Sequence, residues 1–496
     1  MKTNALSKIE KFKNLTKLPT LNTPAKSSLY FTTANLIAKG ASFVLTPIFT
    51  RLLTTAEYGE YSLFVSYLSI AIVIVTLEIP GSIIMRAFQK RRELENVSLI
   101  IAFSVSCLLS LPCVLTIRFL TRSSGLSFPF AYPLLLLSLL STSLNNLYIS
   151  KSKFHYRWQL PLVIAITQSV LAPTLSIILI RTSALHKYGN IVLKIGTVTA
   201  INAALAITLL AVTIHNARKE TKSQNLQKRE LYRYVKDIVS FLLKLSLPLL
   251  PYYFSVMMIS QSDKLFIASR IGSEALARYS IAHSAAIALT AITGGFMSAL
   301  SPWIMRKVRA ADTKILRYTF SLIIKLTLPL IVIFLCASPE IFSFLAPKEY
   351  QSALPVLFII SIIPLPLALS QCLCSIAVAK EKTGGVIISG IIPAAFALIG
   401  NIIFTQHGNI YIPAFITTLS YLILTLCESL NIKKIMGKTP LNAKQSLQNV
   451  LLFSVISSVI FNFVGVISVR IIIALLAIAY LLYMQKNTKM LLCEHS

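Results

Sequence analysis

The stretch Val386-Ile-Ile-Ser-Gly-Ile-Ile-Pro-Ala-Ala-Phe-Ala-Leu-Ile-Gly-Asn-Ile-Ile-Phe404 contains no ionisable side chain. As a helix rising about 1.5 Å per residue it is roughly 28 Å long, which matches the ~30 Å hydrocarbon core of a bilayer. It has no polar face to turn toward water, so a membrane span is the direct reading. Runs of the same kind recur from end to end, and the spacing predicts spans at Leu29–Leu53, Tyr61–Ile84, Val97–Ile117, Pro129–Ile149, Leu160–Ile180, Ile191–Ile214 and Phe241–Ser262. Seven more follow at Tyr279–Pro302, Tyr318–Ala337, Ala353–Ala379, Val386–Phe404, Ile410–Ile432, Val450–Val466 and Val469–Tyr483. The last two are short enough to form a re-entrant hairpin.

Composition agrees. Of 496 residues, 55% are hydrophobic and 13% charged, with mean hydropathy +0.74. Soluble domains carry about 25% charged residues. The fold expected is an all-α polytopic membrane protein of about fourteen transmembrane helices: two six-helix halves plus two C-terminal helices. The divisions are a basic tail (1–28), an N-terminal half (29–214), a basic linker (215–240), a C-terminal half (241–432) and a helical hairpin with tail (433–496).

The net charge of +30 would suit a nucleic-acid binder if it lay on one folded face. Here Lys and Arg sit in short segments between apolar runs, as the positive-inside rule requires, and no nucleic acid is expected. Residues at span edges are counted with the connection they adjoin. With the N-terminus inside, cytoplasmic segments then hold 33 basic residues and outer ones 11, while Lys39, Lys244 and Lys325 lie within spans. Both termini are therefore placed in the cytoplasm. The outer connections are too short for a catalytic ectodomain, which counts against a membrane glycosyl polymerase or ligase. No phosphate-binding loop motif occurs, and the seven cysteines are scattered without metal spacing. Neither catalytic residues, cofactor nor metal is expected.

The halves show weak self-similarity. Tyr61, Ser62 and Ser66 recur as Tyr279, Ser280 and Ser284, and Ile84-Met85-Arg86 recurs as Ile304-Met305-Arg306. Arg51 and Arg270 hold matching places at the outer ends of spans one and seven. Parallel six-span halves imply a pseudo-two-fold along the membrane normal, a plan common among transporters.

Span one carries Thr32, Asn35, Lys39, Ser42 and Thr46 at intervals of three and four, so they share one helix face. Close helix packing explains small hydroxyl residues but not Lys39. An ammonium at depth costs at least about 2.5–3.5 kcal/mol and needs a partner, a cavity or a function. A cavity is the better explanation. Asp263 and Lys264 are expected at the polar end of span seven, and His283 about one turn inside span eight. Glu78, Lys244, Lys325 and Glu428 lie near span ends, where snorkelling suffices for most. Prolines such as Pro248, Pro251, Pro364 and Pro366 should interrupt helices where neighbours satisfy the freed carbonyls.

The stretch from Asn35 through Lys39, Pro47, Arg51 and Glu57 to Ser62 resembles the opening of Wzx-type polysaccharide flippases. These belong to the multidrug/oligosaccharidyl-lipid/polysaccharide exporter superfamily. Ser262-Asp-Lys-Leu-Phe-Ile267, Tyr279-Ser-Ile-Ala282, Ser301-Pro-Trp-Ile-Met-Arg306, Pro347-Lys-Glu-Tyr350 and Ala379-Lys-Glu-Lys382 are similar too, so that the likeness covers about Asn35 to Lys434. It implies a flippase of the bacterial inner membrane. Such a protein moves undecaprenyl-diphosphate-linked oligosaccharide to the periplasmic leaflet for O-antigen or capsule assembly. Its partners would be that lipid-linked oligosaccharide, membrane lipids and a polysaccharide polymerase machinery. The alternatives are a membrane glycosyl polymerase or ligase and a cation-coupled drug exporter of the same superfamily. The substrate-binding residues expected are Asn35, Lys39, Ser42, Arg51, Asp263, Lys264, Arg270 and His283.

Overall fold

The computed structural model describes residues 33, 40–77, 94–121, 125–155, 157–182, 189–223, 228–248, 250–309, 313–380, 382, 384–405, 408–439, 441 and 443–493. Asn35, Lys39 and Glu78 lie outside the described residues, as does the Ile84-Met85-Arg86 end of the repeat. The described residues are helical throughout, without a strand.

The N-terminal half comprises α1 (40–52), α2 (Thr55–Thr76), α3 (Glu95–Leu120), α4 (Ala131–Phe154), α5 (Gln159–Thr182) and α6 (Asn190–Ser223). The turn between α1 and α2 is fixed by a capping box. Thr54 Oγ1 accepts from the Glu57 N–H (3.2 Å), and the Glu57 carboxylate accepts from the Thr54 N–H (2.9 Å). A linker helix α7 (Lys228–Ser246) leads to the C-terminal half: α8 (Leu250–Arg270), α9 (Ser273–Arg309), α10 (Thr313–Cys336), a short α11 (Ser338–Leu345), α12 (Leu354–Ile360), α13 (Pro364–Ala379), α14 (Gly384–Phe404) and α15 (Tyr411–Met436). Two further helices, α16 (Ala443–Asn462) and α17 (Ile467–Cys493), pack on α10. Eight of the described helices are long and apolar enough to cross a membrane; the α12–α13 pair, with the 3-10 turn Lys348–Ala353 before it, makes a ninth span bent by 41°.

Three expectations need correcting. The described part of the linker is helical: α6 runs on to Ser223, and the apolar residues from Phe241 belong to α7. That helix is amphipathic and docks Tyr234 and Ile238 against the start of α3, with Tyr234 Oη 2.7 Å from Ser98 Oγ. Span seven consequently begins at Leu250 rather than Phe241. Pro248 ends α7, because the residue before a proline avoids helical geometry, and Pro251 suits the first turn of the next helix. Its end moves outward to Arg270, so Asp263 and Lys264 sit inside the helix instead of at its polar end. By the same shift His283 lies ten residues into α9, which begins at Ser273.

The break in span ten behaves as its prolines imply. The Ile363 N–H bonds the Ile360 carbonyl, so the Ile359 carbonyl takes the Thr418 hydroxyl of α15 (3.1 Å). One heptad further on, Thr425 donates to Pro366 O (3.0 Å); one heptad earlier, Tyr411 donates to Ser352 O (3.3 Å).

Helix α2 packs along both α8 and α9, joining the halves. One apolar cluster spans the joint, including Leu53, Tyr58 and Phe64 from one half and Tyr279, Ile281 and Tyr350 from the other. The halves are in close contact at the end of the bundle that carries the α1–α2 turn. There a Cβ on Gly59 would fall 1.8 Å from the Ser273 carbonyl oxygen. Thr50 Oγ1 donates to Leu345 O (2.8 Å), and Tyr58 meets Tyr350 edge-on.

Candidate functional site

Just inside that closed end lies a cavity of about 290 Å³ between the halves. Helix α1 contributes Ser42, Leu45, Thr46 and Phe49, and α2 contributes Tyr58, Tyr61, Ser62 and Val65. Gln168, Ser169 and Pro173 come from α5, and Lys194 and Val198 from α6. The C-terminal half supplies Lys264 from α8 and Ser280 and Ser284 from α9. No carboxylate lies among the described residues of this wall. Ser62 and Ser280, equivalent positions in the two halves, line the same space.

Lys194 is the dominant charge. It sits one turn into α6, is 3% exposed, and places its ammonium over three rings: Tyr61 at 3.2 Å from the centroid, Phe49 at 3.9 Å and Tyr58 at 5.2 Å. Each such contact stabilises a desolvated cation by about 2 kcal/mol or more, which offsets part of the desolvation cost but supplies no neutralising charge. No ion pair among the described residues involves Lys194. The cage therefore holds the ammonium with rings and no anion among the described residues. Lys264 faces the cavity from the opposite half, its ammonium 3.1 Å from the Gln261 carboxamide oxygen.

The expected site residues divide accordingly. Ser42 and Lys264 are on the cavity wall. Asp263 turns the other way, fully buried, and accepts from the Lys264 N–H (2.7 Å), the Thr417 hydroxyl (3.1 Å) and the Tyr279 hydroxyl. His283 stacks on Tyr279 and belongs to that cluster. Arg51 and Arg270 bind helix ends: Arg51 donates to Phe344 O (3.2 Å), and Arg270 to Ile402 O (2.6 Å). Both satisfy last-turn carbonyls that have no partner within their own helix. Asn35 and Lys39 lie outside the described residues. Sequence reasoning missed Lys194, which was counted with the outer connection. Its membrane-facing signal was its place three residues inside the predicted span, while Phe49, Tyr58 and Tyr61 come to it only through the packing of α1 and α2 on α6.

A second feature is an apolar groove of about 460 Å³ where α10 meets α16 and α17, walled by residues such as Leu328, Val332, Phe453, Ile456, Ile473 and Tyr480. At one end of it Arg470 of α17 makes a two-pronged ion pair with Glu340 (2.6 and 2.7 Å) and donates to Cys336 O (2.7 Å). Those bonds hold the Glu340 carboxyl below its ordinary range.

The family model described as polysaccharide biosynthesis protein matches residues 25–308, more than half of the chain, and the chain belongs to that family. No curated protein matches it. Among solved structures it is similar to the lipid II flippase MurJ in an inward closed conformation, with 16% identity over 94% of this chain and 100% of that one and a TM-score of 0.65. It is also similar to a MOP superfamily transporter from Pyrococcus furiosus (14% identity, 84% and 98% of the two chains, TM-score 0.55) and to a MATE protein in complex with MaD3S (15%, 84% and 98%, TM-score 0.53). At these identities the likeness is one of fold: the chain is a multi-pass helical membrane protein with the architecture of the multidrug/oligosaccharidyl-lipid/polysaccharide exporter superfamily.

Proposed function

We propose that this member of the polysaccharide biosynthesis protein family is a flippase of the bacterial inner membrane. It moves undecaprenyl-diphosphate-linked oligosaccharide from the cytoplasmic to the periplasmic leaflet, for O-antigen or capsular polysaccharide assembly, by alternating access of the cavity between its halves. The observation that carries this reading is a cavity without a carboxylate among its described residues, in which Lys194 and Lys264 face each other's half across hydroxyl side chains. A diphosphate is a strong acceptor that ammonium groups bind with charge-assisted hydrogen bonds, and it would supply the anion that Lys194 lacks. Serine and threonine hydroxyls replace water around sugar hydroxyls, which otherwise leave solvent at a cost. The apolar groove beside α17 suits the polyprenyl chain, which never needs to leave apolar surroundings. A wall with two cations and no carboxylate among its described residues disfavours export of cationic drugs.

The test is depletion of the protein in cells that make surface polysaccharide, followed by assay of the leaflet holding lipid-linked oligosaccharide. Accumulation in the cytoplasmic leaflet is expected. Accumulation of unpolymerised units in the periplasmic leaflet would instead point to a polymerase.

A further inference from the structure

Helix α5 is not a regular α-helix. Between Thr167 and Leu171 it makes one π-turn, closed by the Ala172 N–H donating to the Thr167 carbonyl five residues back. The cause is local: Pro173 has no N–H to return to the Ser169 carbonyl, and its ring crowds that carbonyl. Such a turn is rare, amounts to one inserted residue, and is frequent at functional sites. Here its effect is visible in the cavity, because Gln168, Ser169 and Pro173 all reach the wall while Val170 and Leu171 face outward. Gln168 is the one carboxamide among the described cavity-wall residues. It offers two donors and an acceptor in one plane, whereas the two lysines only donate.

We propose that the π-turn of α5 is the sugar-reading element of the cavity, with Gln168 its specificity residue for the saccharide attached directly to the diphosphate. This inference rests on the flippase reading above. Size selects the saccharide: a cavity of about 290 Å³ is at the lower limit of ligand pockets, ~300–1,000 Å³. It admits the part of the head group next to the lysines and not a whole oligosaccharide. Chemistry selects the residue: a planar amide can donate to one sugar oxygen and accept from a neighbouring hydroxyl or N-acetyl N–H. A site built to pair such groups discriminates strongly against a ligand that lacks them.

The test compares two probes on the full-length protein in nanodiscs, polyprenyl diphosphate and the same lipid bearing its first saccharide. Wild-type protein should bind the saccharide-bearing lipid more tightly, and Gln168→Ala or Gln168→Met should shrink that preference at least tenfold. Deleting Leu171 together with Pro173→Ala removes both the extra residue and the proline that calls for the turn, and so restores an ordinary α-helix without turning the rest of α5; the protein should melt no earlier and lose the preference to the same degree. An unchanged preference in these variants overturns the inference, and so does equal weakening toward both probes, while leaving the flippase reading intact. Failure of wild-type protein to bind either probe would sink both.

Discussion

The ammonium nitrogen of Lys194 lies 3.2 Å from the centroid of the Tyr61 ring, so a charge carried by α6 is held by a side chain of α2. With Phe49 and Tyr58 completing the cage, the cation is fixed without a counter-charge among the described residues, a costly arrangement that makes sense where an anion is to arrive. Lys194→Met should therefore stabilise the purified protein while abolishing transport. The gain should be of the order of 1–4 kcal/mol, by analogy with buried ion pairs replaced by apolar residues. Thermal melting alongside surface polysaccharide output checks it. A Lys194→Met protein that melts earlier yet still exports would mean that the lysine is a structural element only.

The contact of Gly59 with Ser273 makes a second prediction. Since a Cβ there would reach within 1.8 Å of a backbone oxygen, Gly59→Ala must push α2 and α9 apart at the closed end. Overpacking of this kind costs about 1–3 kcal/mol. In a cysteine-free background, Ser62→Cys should then react with an impermeant thiol reagent from outside at least about five times faster. An unchanged rate would show that the halves do not close the cavity at this point.

Glu340 gives a pH dependence. Its carboxyl is held below the ordinary value of 4.5 by hydrogen bonds from Arg470, so the folded state binds the proton less readily than the unfolded one. The stability this pair contributes is complete above the unfolded value and is lost as pH falls through the lower folded value. Melting of the detergent-solubilised protein should weaken on that acidic side, and Glu340→Gln should flatten this component. A wild-type melting curve with the same acid limb as Glu340→Gln would exclude it.

Orientation is a separate claim, motivated by the 33-to-11 asymmetry of basic residues. Glu349→Cys should be labelled by the impermeant reagent in intact cells, and Lys433→Cys only after the membrane is opened. Labelling of Lys433→Cys in intact cells would invert the topology.

Much of this fold is legible in the sequence because apolar runs of membrane length announce themselves one by one. Val386–Phe404 is nearly coincident with α14. The misplacement of span seven has a plain cause: α7 is apolar on one face, and its residues from Phe241 merge with the following run when hydropathy alone is read. Pro248 carried the missing punctuation. The site was legible in kind but not in detail. Ser42 and Lys264 could be singled out from polarity within a span. What could not be read is which residues a neighbouring helix supplies: Arg51 and Arg270 stood out as charges, yet each finds a carbonyl at the end of another helix. Lys194 acquires its meaning only from rings on two other helices.

The account's central claim is tested most directly in proteoliposomes holding the purified protein and a lipid-diphosphate-linked oligosaccharide. The quantity to measure is the share of that lipid open to an impermeant glycosidase. Wild-type protein should expose nearly the whole pool, while empty vesicles and vesicles with Lys194→Met expose only the outer leaflet. Equal exposure in wild-type and empty vesicles would contradict the claim.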